Sequence, residues 1–121
     1  MEAGGRRLLQ EARKLVADSW ARGAEARDPA GNVVDPWEED AVSWSLLGAI
    51  VAALEREASR NGELPLHELA AALYALARVI DADSLVEWND RPQQTQGNVV
   101  ATLDRAAADY DERDAELLSL N

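Results

Sequence analysis

The stretch Ser84-Leu-Val-Glu-Trp88-Asn89-Asp90-Arg-Pro92-Gln-Gln-Thr95, running on into Gln96-Gly-Asn-Val-Val-Ala-Thr-Leu103-Asp-Arg105, is where the helical pattern of this chain stops for a specific reason. Asn89 and Asp90 carry short polar side chains that compete for backbone hydrogen bonds. Pro92 fixes a bend, and Thr95 is suited to cap a helix that follows. The stretch reads as a loop between a third and a fourth helix. It brings Glu87, Asn89, Asp90 and Thr95 near one another, with Trp88 among them. If the chain has a polar ligand pocket, its residues are Trp88 as a stacking wall and Asn89, Asp90 and Thr95 as contacts. The competing reading is structural, with Trp88 a plug, Asn89 and Asp90 turn formers and Thr95 a cap.

Working outward, the helices on either side have clear apolar stripes. Leu8, Leu9, Ala12, Leu15, Val16 and Trp20 recur at helical spacing, so helix one is expected from about Glu2 or Arg6 to Arg22, stopped by Gly23. Ala41 to Leu54 is apolar almost all round, broken mainly by Ser43, Ser45 and Gly48. That predicts a buried, central helix two, from about Glu38 or Val42 to Arg60, with Trp44 on its core stripe. Asp35, Pro36 and the acids after them suit a helix start, and Trp37 suits a hydrophobic staple. The small residues Gly48, Ala49, Ala52 and Ala53 would let another helix come close. Helix three is expected from about Pro65 to Ile80 on Leu66, Leu69, Leu73, Leu76 and Ile80. Helix four should start near Thr95, with Val99, Val100, Leu103, Ala106 and Tyr110 inward. Leu117, Leu118 and Leu120 extend its stripe, although residues 111–121 read as a fraying end. Between helices one and two, Asp28-Pro-Ala-Gly31 reads as a type I turn with Gly31 left-handed, flanked by strands of about three residues. The predicted fold is mainly α: a single domain over residues 1–121, a bundle of four helices with a small β-hairpin.

Composition excludes several chemistries. The chain has 121 residues, 47% of them hydrophobic and 29% charged, a globular balance with room for one core. It has no Cys, so it has no disulfide, thiolate ligand or Cys nucleophile. His67 is the single histidine, and Ala71 stands where a His67-Glu-x-x-His zinc helix needs its second ligand. Asp81-Ala-Asp83 begins like a calcium loop, but Leu85 and Val86 occupy the positions for an oxygen ligand and Gly. There is no phosphate loop after a strand and no Gly-x-Ser-x-Gly elbow. No catalytic residue, metal site or cofactor is therefore assigned. The N-terminus lacks an unbroken apolar stretch, and no run of about 18 apolar residues exists, so a soluble cytoplasmic protein off the membrane is expected.

Net charge is −11, split unevenly: residues 1–30 hold six basic and five acidic groups, and residues 31–121 hold six and eighteen. Such a surface repels nucleic acid and anionic lipid, so direct nucleic-acid binding is not expected. The leading functional expectation is a non-enzymatic accessory domain whose partner is another protein, or itself as a homodimer. It would bind through the Trp88 loop or the near-neutral face of helix one. One alternative is the small-molecule or enzymatic pocket of Trp88, Asn89, Asp90 and Thr95. Another is an acidic inhibitor that imitates nucleic acid towards a basic protein.

The chain also resembles a family of short, uncharacterised bacterial domains. The resemblance rests on Trp20-Ala-Arg-Gly23-Ala24, Ala26-Arg27-Asp28, Trp44-Ser45-Leu46-Leu47-Gly48-Ala49, Trp88-Asn89-Asp90, Thr95 and Leu103-Asp104-Arg105-Ala106. It covers most of residues 8–106. It implies a shared fold and no particular activity. Relatives often carry Cys about where Ser45 stands here, so any thiol-dependent role in them does not extend to this chain.

Overall fold

The computed structural model describes residues 4–110. The readings that fall on Glu2 and on Leu117, Leu118 and Leu120 lie outside them. Helix α1 spans Gly4–Asp18 and buries Leu8, Leu9, Ala12, Leu15 and Val16, the stripe expected from the sequence. It stops four residues earlier than Arg22. The backbone of residues 19–21 is taken by a β-bridge: Trp20 pairs with Trp44, Trp44 N–H donates to Ser19 O at 3.1 Å, and Ala21 N–H donates to Trp44 O at 3.0 Å. A strand partner far along the chain outcompetes one more helical turn.

The turn at Asp28–Asn32 forms as read. Gly31 has φ +86°, and the Asp28 carboxylate accepts from the backbone N–H of Ala30 and Asn32 at 3.0 and 2.8 Å. The hairpin around it is smaller than expected. Its returning arm makes a single bridge, Arg27 with Val33. The regular sheet is instead β1 (Ala26–Arg27) against β2 (Ser43–Trp44), antiparallel, with Ala26 opposite Trp44 and Arg27 opposite Ser43.

That pairing also shortens helix two. Asp35 to Ala41 form turns rather than a helix start, closed by Glu38 N–H to Asp35 O and by the Glu38 carboxylate accepting from Asp35 N–H, both at 3.1 Å. Trp37 is 55% exposed and staples no helix. Trp44 lies on β2, with its indole N–H donating to Pro36 O at 3.1 Å. Helix α2 then runs Leu46–Asn61. Its cap is Ser45, whose hydroxyl accepts from Gly48 N–H at 3.0 Å. At Gly48 the close neighbour is the backbone just before β1 and not another helix: a Cβ there would sit 1.8 Å from the carbonyl oxygen of Glu25.

Helix α3 spans Leu66–Val79, close to the expected extent, but the face it buries is Ala71, Ala72, Ala75 and Leu76; of the expected stripe, Leu69 and Leu73 are half-buried and Leu66 is exposed. The stretch read as a loop holds a short helix, α4 (Leu85–Asp90), capped by Ser84, whose hydroxyl accepts from Glu87 N–H at 3.3 Å. Helix α5 (Gln96–Asp109) starts at its expected cap, Thr95, whose hydroxyl accepts from Asn98 N–H at 3.1 Å. The described residues are thus mainly helical, with five helices in place of the expected four, and a two-stranded sheet. The central helix is α1, which packs on α2, α3 and α5, whereas α2 rests on α1, α4 and β2. One core joins them, with Leu9, Val16, Leu46, Ile50, Leu76, Val99 and Leu103 sealed from solvent.

Candidate functional site

Of the four residues nominated from sequence, Trp88 is 7% exposed and belongs to the main core. Asn89 is fully buried at 0%. Its carbonyl oxygen accepts from the Trp20 indole N–H at 2.8 Å and from the Leu46 backbone N–H at 3.0 Å. Its amide nitrogen donates to Ala21 O at 3.1 Å and to the Asp90 carboxylate at 3.0 Å. Asp90 in turn accepts from Gly23 N–H at 3.0 Å. The two side chains therefore clamp α4 onto the α1–β1 connection and onto the first residue of α2. Thr95 is exposed and caps α5. Asn89 and Asp90 meet, and Trp88 lies beside them in sequence on the same short helix. Thr95 makes its bond to its own helix.

Asp90 also lines a cleft of about 350 Å³, with Gly23, Ala24, Glu25, Val33, Ser45 and Val86. Val33 and Val86 stand on it 65% and 46% exposed. The neighbourhood is tied down from both sides. Arg22 donates to Gln94 O while stacking 4.9 Å from the centre of the Trp20 ring. Arg91 pairs with Asp81 at 3.2 Å and with Glu87 at 3.4 Å.

A second polar cluster was not found from sequence. Glu57 on α2 is 5% exposed. Its carboxylate accepts from Arg7 of α1, from Arg60 at 2.8 Å and from the Asn61 amide at 2.9 Å. Burial alone would raise its pKa. The Asn61 hydrogen bond, the charge and hydrogen bond of Arg7, and the charge of Arg60 outweigh that, so its pKa lies below the ordinary glutamate value. Arg60 and Asn61 at three and four residues' spacing are legible as helical neighbours. Arg7, fifty positions away, is not. Two clefts flank this group. One of about 390 Å³ is lined by Arg7, Gln10, Glu11, Lys14, Glu57, Arg60 and Asn61. The other, of about 470 Å³, includes exposed His67 in the first turn of α3.

Among the described residues, no group of three or more His, Asp or Glu is arranged to hold a metal ion. Nor is any helix long and apolar enough to cross a membrane. The geometry defines a mainly helical module whose α4 clamp joins the sheet to the bundle. The chain belongs to the family of unknown function DUF6197, whose model matches residues 4–109. Neither the curated proteins nor the solved structures gave a match.

Proposed function

We propose that this chain is a non-enzymatic accessory domain that works by binding another protein. The observation that supports this reading is the engagement of Asn89 and Thr95 within the fold. The Asn89 amide has four partners in its own chain, and Thr95 is committed to a helix cap. Groups so engaged serve to hold a surface in shape, and that surface carries the exposed side chains of Val33 and Val86. Apolar side chains exposed on a rigid frame suit a protein partner better than a polar substrate.

A small-molecule pocket is the second reading, favoured by the Asp90 carboxylate on the 350 Å³ cleft, a volume within the usual range for ligand sites. One pair of variants separates the two. The full chain, tagged and returned to its native cell, is expected to capture a specific protein. That capture should be lost in Val86→Asp with the melting temperature unchanged. Turnover of a defined small molecule by the purified protein, abolished by Asp90→Ala, would overturn the binding-domain reading and establish the pocket.

A further inference from the structure

The cleft between α1 and the last turns of α2 differs in charge from the rest of the molecule. The chain carries −11 overall, yet this cleft is lined by three cations, Arg7, Lys14 and Arg60, against two carboxylates, Glu11 and Glu57. Glu11 is engaged from outside by Arg56 at 3.3 Å. What remains is three cations around one buried carboxylate.

That carboxylate has an orienting geometry. One Glu57 oxygen receives a terminal amino group of Arg7 and the other receives one of Arg60. Asn61 holds the Arg7-facing oxygen from the side. Each guanidinium has five N–H donors in a fixed fork, so anchoring one amino group leaves others to face the cleft. Both arginines remain about half exposed, at 47% and 61% of their side chains, and Lys14 reaches the same space from the next turns of α1. A buried acid anchoring two basic forks at the wall of a 390 Å³ cleft fixes donors in advance, which lowers the ordering cost of binding.

We propose that this cleft binds the phosphate group of a small molecule. A phosphate ester carries about −1.5 to −2 charges at neutral pH, which matches three cations less one carboxylate. Forked guanidinium donors suit its oxygens. The chain's overall negative charge disfavours a nucleic-acid strand as the source.

The test is a heteronuclear NMR titration of the full chain with inorganic phosphate, with glycerol phosphate as a second arm. Saturating shifts are expected at Arg7, Gln10, Lys14 and Arg60. The dissociation constant should rise about fivefold or more in Lys14→Ala and further in Arg60→Ala, by loss of charge-assisted hydrogen bonds. Lys14 is exposed, so Lys14→Ala should keep the wild-type melting temperature. Tighter binding of the ester than of inorganic phosphate identifies an ester as the occupant, and equal binding identifies free phosphate. Either supports the site. The proposal is overturned if sodium chloride at equal ionic strength gives the same shifts, if no saturation occurs, or if both variants bind as well as wild type. Its failure leaves the protein-binding reading standing, since that reading concerns the opposite arm of α2.

Discussion

Asn89 joins three chain segments through one amide group. Its oxygen holds the Trp20 indole and the first amide of α2, and its nitrogen holds the Ala21 carbonyl. A buried amide is stable only when its donors and acceptors are matched, and here they are. Asn89→Leu keeps the number and branching of the side-chain heavy atoms, in a somewhat larger group, and orphans all three partners. At about 1–3 kcal/mol for each buried group left unsatisfied, the variant should lose at least about 3 kcal/mol of unfolding free energy. Urea denaturation measures it directly, and a loss below about 1 kcal/mol would mean that water replaces the amide. From the sequence, Asn89 was legible as a polar residue beside an aromatic one. Its three long-range partners were not, because a side chain's reach across the fold leaves no local periodicity.

At the scale of the elements, the contest was between helix and strand over residues 35–45. The acids and Pro36 favour a helix start, and Ala41 onward is apolar almost all round a helix. Yet Ser43 and Trp44 pair with Ala26 and Arg27, and α2 begins only after Ser45. Gly48 lets this happen, because the Glu25 carbonyl lies where a side chain would start. Gly48→Ala should therefore push the Glu25 backbone, just before β1, off the helix and cost about 1–3 kcal/mol or more, as overpacking does. Gly97→Ala is the matched control. Its Cβ would meet only the Thr95 hydroxyl oxygen, at 3.8 Å, so helix propensity should leave it neutral or stabilised by up to about 1 kcal/mol. Thermal melts of the two variants give the comparison, and equal midpoints would remove the close approach as the reason for the glycine.

At the scale of the whole molecule, Glu57 links α1 to α2 and makes stability depend on pH. Its folded pKa is depressed, so its contribution is present above the unfolded value, about 4.3, and is lost as pH falls through the folded value. Glu57→Gln should be less stable than wild type at pH 7, and the gap should close as pH drops below that range. Chemical denaturation at a series of pH values reads the gap, and one that stays constant down to pH 3 would show that charge at Glu57 contributes nothing. The other twenty-two Asp and Glu side chains act on both proteins alike, so the difference isolates this one.

Across the three scales, what could be read from the chain is what nearest neighbours decide. The stripes of α1 and α5, the extent of α3, the Thr95 cap and the Asp28–Gly31 turn all arise from residues within about four positions of one another. Such short-range preferences act within the chain whatever its distant partners are, so the sequence by itself determined them. The early end of α1 at Asp18, the strand at Ser43–Trp44, the α4 clamp and the Arg7–Glu57 pair depend on residues tens of positions apart. Around the end of α1 and the start of α2 the local sequence suits either helix or strand. Burial and hydrogen bonding against distant partners chose between them, and only the tertiary structure supplies those partners.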